Sequence, residues 1–221
     1  MIRRFWMAAG LALTMTLAGC MSQAVRDSVT APTLSPQDRP SLKDRMSGAL
    51  NLRKDPPALQ WAGQDGADAW TQATIEALEE EGITLLSAVP ADIMQYCPGY
   101  AAQSRENRAA FWAGFLSAVA RHESGWNPAA SKDGGRRLGL MQISQDDSRA
   151  NGCRGGLLDA GDNMHCAVRI LARHVARDST IDGGSEAGDR PRGVANVWSS
   201  LRSGSRRADI ATWTRRQSYC R

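Results

Sequence analysis

Residues 105–128 read Arg105-Glu-Asn-Arg-Ala-Ala-Phe-Trp-Ala-Gly-Phe-Leu-Ser-Ala-Val-Ala-Arg-His-Glu-Ser-Gly-Trp-Asn-Pro128. Phe111, Trp112, Phe115, Leu116 and Val119 recur at spacings of three and four, which predicts a helix with one buried stripe. Glu123 follows Val119 by four positions, so it stands on that same face in the last turn. The run Gly125-Trp126-Asn127-Pro128 cannot continue a helix and ends it. A carboxyl is thus expected at a helix end, with apolar neighbours on the turn before it, projecting into whatever cleft the domain forms. Burial disfavours the charged form of such a group, which suits it to general-acid work. His122 is adjacent in sequence but points about 100° away around the helix, toward packing or solvent.

Working outward, residues 67–81 carry Trp70, Ala73, Ile75, Ala77 and Leu78 among polar partners, with Gly82 as a stop, and predict another helix. A short helix is expected from Pro90 through Ile93, Met94 and Tyr96 to the break at Pro98-Gly99. Residues 133–137 read as an exposed turn, and 138–143 return to the interior. Met164, Ala167, Val168, Leu171 and Val175 give helical spacing over 162–177, with Asp162 or Asn163 as its cap. Residues 183–192 form a loop, and 194–201 and 210–219 are the last helical pieces, with Trp198 and Trp213 as core residues. No alternating strand pattern of useful length occurs. The predicted class is mainly α.

Ahead of this domain the chain has a different character. Residues 1–19 carry Arg3 and Arg4, then an apolar stretch from Phe5 to Leu17, the layout of a secretory signal peptide, and too short for a good spanning helix. Its end, Leu17-Ala18-Gly19-Cys20, resembles the bacterial lipobox, which implies that Cys20 is lipidated and opens the mature chain. Met21 stands where an aspartate would resemble an inner-membrane retention signal, so the resemblance implies an outer-membrane anchor facing the periplasm. Residues 20–60, with Pro32, Pro36, Pro40, Pro56 and Pro57, read as a flexible tether with a short helix near 42–50. The folded domain is expected over 61–221.

The formal charge of +4 includes Arg3 and Arg4, leaving 4 − 2 = +2 from Cys20 onward, too little to suggest nucleic acid. Arg202, Arg206, Arg207, Arg215 and Arg216 form a basic cluster against Asp209, read as a solvated helix face, with contact to anionic lipid or to the carboxylates of a cell-wall peptide stem as the sharper alternative. Besides Cys20 there are Cys97, Cys153, Cys166 and Cys220, an even set in an exported chain. Of three possible pairings, proximity favours Cys153 with Cys166, leaving Cys97 with Cys220. No Cys-x-x-Cys spacing supports zinc, His165 and His174 are not at metal spacing, and the Gly-rich runs lack the strand and helix of a phosphate loop. Neither metal nor cofactor is expected.

Glu123-Ser124-Gly125-Trp126-Asn127-Pro128 together with Gly139-Leu140-Met141-Gln142-Ile143 resembles the soluble lytic transglycosylase family, relatives of goose-type lysozyme. Asp162-Asn163-Met164-His165-Cys166-Ala167-Val168-Arg169-Ile170-Leu171 resembles the family's third helix motif more loosely, and the likeness spans residues 90–202. It implies a lysozyme-like fold and a peptidoglycan substrate whose β-1,4 bond between N-acetylmuramic acid and N-acetylglucosamine is cleaved without water. By resemblance Glu123 is the sole catalytic acid, Ser124 helps orient it, and Met141 and Gln142 touch sugar. Two-carboxylate glycosidases need a second acid at fixed separation, whereas Asp146, Asp147 and Asp159 sit in polar, turn-like surroundings.

The sequence departs from the family in two places. Residues 132–138 are charged and longer than the usual approach to the Gly-Leu-Met-Gln element. The Ala-Tyr-Asn-x-Gly motif is missing, and Val194-Ala-Asn-Val-Trp198 stands in its place, so Trp198 is expected to supply an apolar wall, and which residue stands in for the tyrosine is left open, with Tyr96, Tyr100 and Tyr219 as the tyrosines to inspect beside Glu123. The competing readings are a hydrolytic muramidase and a weakly active peptidoglycan-binding or secretion-accessory protein.

Overall fold

The computed structural model describes residues 59–183 and 190–221. The expected signal peptide, Cys20, the expected short helix near 42–50 and most of the expected tether lie outside them. Seven α-helices are described: α1 (Ala67–Glu80), α2 (Ile83–Ser87), α3 (Ile93–Tyr96), α4 (Arg105–Glu123), α5 (Gln145–Ala150), α6 (Ala160–Asp178) and α7 (Gly204–Arg215). Short 3-10 turns occupy Tyr100–Ala102, Gly193–Asn196, Ser199–Leu201 and Ser218–Cys220. Three two-residue strands, β1 (Ser131–Lys132), β2 (Arg137–Leu138) and β3 (Ile143–Ser144), pair antiparallel in the order β1-β2-β3, with Ser131 opposite Leu138 and Leu138 opposite Ile143. Strands this short leave no alternation for a sequence pattern to show.

Helix α4 is the axis of the domain, and it is not the one-sided helix that its spacing predicts. Every residue from Ala109 to Ala120 is buried. The large side chains fill one side, where Phe111 and Phe115 meet Tyr100 and Tyr96 edge-on with ring centroids 5.2 and 5.5 Å apart. The other side is built from Ala109, Ala110, Ala113, Gly114, Ser117 and Ala118, small residues that let neighbouring elements approach the backbone. Gly114 carries this furthest: an added Cβ would lie 2.1 Å from the hydroxyl of buried Tyr219. Ser104 caps α4 by accepting from the backbone of Asn107.

Helices α1 and α6 pack together, α1 also lies on α4, and α7 and the C-terminal turn cover the remaining flank of α4. Leu59, the first described residue, is buried, and Gln60 N–H donates to Ser117 Oγ at 3.0 Å. The start of α6 corrects the sequence reading. Asp159 is its cap, accepting from Asp162 N–H at 2.9 Å, while Asp162 turns back to accept from Gly156 N–H at 2.8 Å. The chain end differs too, since α7 begins at Gly204 and 193–201 forms two 3-10 turns. Trp198 is fully buried and Trp213 partly so. Cys153 is bonded to Cys166 and Cys97 to Cys220, the pairing that proximity suggests. Among the described residues no helix is long and apolar enough to cross a membrane.

Candidate active site

Glu123 is the last residue of α4 and only 6 % exposed. Its Oε1 accepts two hydrogen bonds from one residue, from Ser200 N–H at 3.1 Å and Ser200 Oγ–H at 2.7 Å. Oε2 has no hydrogen-bond partner among the described residues. Two donors on Oε1 hold the carboxyl plane and favour placing any proton on Oε2. The result is a buried acid with one restrained oxygen and one available for proton exchange.

The turn after Glu123 is set by local chemistry. Gly125 and Trp126 follow at φ 66° and 63°, two consecutive left-handed residues that reverse the chain at the helix end. A tryptophan adopts that conformation only when its surroundings hold it. Here the indole N–H donates to Ser117 carbonyl at 2.9 Å, and the Arg121 guanidinium lies 5.9 Å from the ring centre. The Ser124 hydroxyl donates to Ala120 carbonyl at 3.2 Å. The charged insertion supplies its own contact: the Lys132 ammonium donates to the Glu123 carbonyl. A cation at a helix C-terminus also meets the negative end of the helix dipole, so the hairpin is tied to the helix that carries the acid. His122 points away and meets Asp209 at 2.9 Å.

The segment 139–142 acts as a support. Gly139 has φ 77°, and a Cβ there would lie 2.1 Å from Leu157 carbonyl and 2.3 Å from Asn163 Nδ2. Only glycine fits. Buried Asn163 stitches the segment to α6: its Oδ1 accepts from Met141 N–H at 2.9 Å, and its Nδ2 donates to the carbonyls of Leu138 (3.1 Å) and Leu157 (2.9 Å). Met141 and Gln142 are fully buried. Gln142, at φ 48°, donates from Nε2 to the carbonyls of Ala130 (3.0 Å) and Gly139 (2.8 Å). Its Oε1 is buried without a partner.

Trp198 is not an open apolar wall. It is wholly buried and donates Nε1–H to Met141 carbonyl at 3.0 Å. The expectation of a sugar-facing surface fails because the indole fills the space beneath 139–142 and satisfies a backbone acceptor there. Met141, Gln142 and Trp198 fix the floor on which a cleft can rest.

None of the three tyrosines reaches Glu123. Tyr96 donates to Asp182 at 2.6 Å, Tyr100 donates to Leu85 carbonyl at 2.8 Å, and the buried Tyr219 hydroxyl has no partner. Burial pushes the Tyr100 hydroxyl up to about 12, and burial raises Tyr96 and Tyr219 as well. The Glu123 carboxyl takes its hydrogen bonds from Ser200 and from no tyrosine among the described residues.

Ser200 is brought in by a hydrogen-bonded stack following α6. Asp92, buried, accepts from the backbone N–H groups of Ile181 (2.7 Å), Asp182 (2.9 Å) and Gly183 (3.1 Å). Burial alone would raise its pKa, but hydrogen bonds from Thr180 and this backbone outweigh burial and hold it below the ordinary value. Val194 N–H then donates to Ile181 carbonyl at 2.8 Å, and Gly193 N–H to Asp178 at 2.6 Å. Asp178 is held down to about 2, chiefly by its hydrogen bond from Arg177. His174 Nδ1 lies 3.1 Å from Gly193 carbonyl, and burial followed by the neighbouring Arg177 charge lowers its pKa.

The other acids named from sequence are engaged elsewhere. Asp146 pairs with Arg149, Asp147 accepts from Ser144 and Asp159 caps α6. Exposed Asp133 pairs with Arg137. Among the described residues no group of three His, Cys, Asp or Glu could hold a metal. Sequence reasoning missed Ser200 and the organising role of Asn163. Ser200 lies 77 positions from Glu123 and carries no spacing signal, whereas Asn163 stands in a recognised motif and differs only in its task.

The model of the transglycosylase SLT domain family matches residues 100–181, which contain Glu123, the Gly139–Gln142 segment and Asn163 and stop short of Ser200. Solved structures of Bd0314 DslA share the fold. Its wild-type form 2 is 31% identical, with a TM-score of 0.68, over 76% of this chain and 100% of that one. Two variants of DslA, each with a glutamate replaced by glutamine, match over the same shares at 31% and 30% identity, with TM-scores of 0.69 and 0.68. No curated protein matches the chain. With a buried glutamate at the end of the central helix, a glycine-dependent floor beside it and this likeness over the whole length of DslA, the chain belongs to the transglycosylase SLT domain family, with a lysozyme-like fold.

Proposed function

We propose that the protein is a lytic transglycosylase that cleaves the β-1,4 bond between N-acetylmuramic acid and N-acetylglucosamine in peptidoglycan, with Glu123 as its only catalytic acid. The observation that carries this reading is the asymmetry of the Glu123 carboxyl, with Oε1 held twice by Ser200 and Oε2 unpartnered. Oε2 donates its proton to the glycosidic oxygen as the bond to the anomeric carbon breaks, and the substrate's acetamido group assists at that carbon. The muramic C6 hydroxyl then bonds to the anomeric carbon and returns its proton to Oε2. The acid is regenerated, the product carries an anhydro ring and no water is consumed. A second carboxylate has no task in this sequence.

On purified sacculi the wild type releases soluble muropeptides lighter by one water than hydrolytic products. Glu123→Gln lowers release by about 10²–10⁴-fold, the range for loss of a general acid. Reducing muramic ends as sole product would make the protein a hydrolytic muramidase instead. Equal release by both forms would leave a binding or accessory role.

The Leu17-Ala18-Gly19-Cys20 sequence supports a second part of the proposal, anchoring of the protein to the outer membrane through lipid on Cys20, facing the periplasm. Palmitate labelling tests it: label is expected in the wild type and absent from Cys20→Ala, and equal label in both defeats the anchor.

A further inference from the structure

A pocket of about 220 Å³ lies between the C-terminal end of α1 and the first turns of α6, walled by the Cys153–Cys166 disulfide. It is separate from the acid's floor. Asn163 faces residues 138–141 and 157, whereas Asp162, Cys166 and Arg169 fall around the helix from it, by about 100° per residue.

The polar groups of this pocket divide into committed and free. Glu81 is held by Arg169, with Oε2 accepting from Nε at 3.1 Å and Oε1 from Nη2. That pairing cancels one charge of each sign and, with Arg169 Nη1 on Gly152 carbonyl at 2.5 Å, fixes one side of the pocket. Asp162 uses Oδ2 to accept from Gly156 N–H and keeps Oδ1 open. The exposed Arg154 guanidinium and half-buried His165 ring also line the pocket, and neither has a partner among the described residues. What faces a ligand is a cationic fork, one ring donor and one carboxylate acceptor.

From this arrangement we propose that the pocket binds the C-terminal end of a short peptide. Its carboxylate lies against Arg154 and His165, and its last amide N–H donates to Asp162 Oδ1. A guanidinium matches a carboxylate in plane and spacing. The volume falls below the ~300 Å³ at which drug-sized sites begin, so it admits about one residue's end and not a folded partner. Taking the peptide stems of peptidoglycan as the source rests on the function proposed above. The site would then grip a stem away from the scissile bond and add retention on the wall without taking part in the chemistry.

The test titrates the protein with acetyl-D-alanyl-D-alanine and with its C-terminal carboxamide, following backbone amide shifts by NMR. Wild type and Glu123→Gln are expected to bind the acid equally, with shifts centred on 153–156 and 162–169, and to bind the amide at least tenfold more weakly. Arg154→Glu is expected to lose at least tenfold in affinity for the acid while its melting temperature stays unchanged, since Arg154 is exposed and unpartnered. Equal binding of acid and amide overturns the proposal, as does wild-type affinity in Arg154→Glu. Because the assay reads no bond cleavage, peptide binding by a protein that leaves sacculi intact would sink the transglycosylase reading and keep the pocket.

Discussion

The two sides of the Glu123 carboxyl are built by opposite means. The chain on its own side, from the last turn of α4 to Lys132, is organised mainly by neighbours in sequence: the Gly125-Trp126 reversal, the Trp126 bond to Ser117, and the Lys132 contact with the Glu123 carbonyl. The partner side, Ser200, stands on a 3-10 turn whose position depends on contacts with α6, Asp92 and residues 139–142. One side closes small loops and the other closes a loop of 77 residues. The acid itself is local, and its restraint is long-range.

Breaking the floor beside the acid, which distant segments hold, is expected to have the largest effect on folding. In Gly139→Ala the new Cβ meets Leu157 backbone at 2.1 Å and must also adopt φ 77°. Backbone cannot rotate aside as a side-chain tip can, so a loss of about 3 kcal/mol or more is expected, read as a fall in the denaturant midpoint. A small loss would mean that 138–142 is softer than its hydrogen bonds imply.

The two disulfides sharpen the contrast in scale. Cys97–Cys220 closes a separation of 123 residues and Cys153–Cys166 one of 13. On the loop-entropy account the long one stabilises by about 2 kcal/mol more. Paired Cys-to-Ser variants of each bridge, compared by urea melts, should rank in that order. The reverse ranking would show that the C-terminal segment is held by packing instead.

Ser200→Ala probes the restraint directly. It removes the hydroxyl donor and keeps the backbone one, so about 1 kcal/mol of hydrogen bonding at Oε1 is lost. A fall of about fivefold in kcat with little change in KM or melting temperature is expected. Unchanged kcat would leave the backbone N–H as sufficient restraint.

The smallest effect concerns the stack that leads to Ser200. Because the folded pKa of His174 is lowered by burial and by Arg177, the fold favours its neutral form. Its contribution is complete above the unfolded value near 6.5 and is lost as pH falls through the lowered folded value. Stability should decline from about pH 6.5 downward, by a fraction of a kcal/mol in this half-exposed setting, read as a falling melting temperature that is shallower in His174→Asn. Identical slopes would remove His174 from that account.

These differences mark what could be read in advance. The apolar spacing of 105–122 places a helix and puts Glu123 at its end, because helical period and stop residues are local properties. The same spacing understates α4, since Ala and Gly positions carry no hydrophobic signal until other elements press against them. Resemblance points to Met141, Gln142 and Trp198 as residues of the site, but that all three are buried and brace its floor is set by packing. The pairing of cysteines followed from proximity, whereas Ser200 is one of several serines near the chain end, and nothing local separates it from Ser199 or Ser203.

By itself, the sequence determined the mainly helical class, the acid at the break of its central helix and the glycine-bearing segment that accompanies it, because each rests on residue types a few positions apart. Only the tertiary structure decided that Ser200 holds Oε1, that Asn163 and Trp198 carry the floor, and that Arg154 and His165 share a pocket with a disulfide wall. Those arrangements depend on which distant segments are buried against one another, and burial is a property of the whole fold.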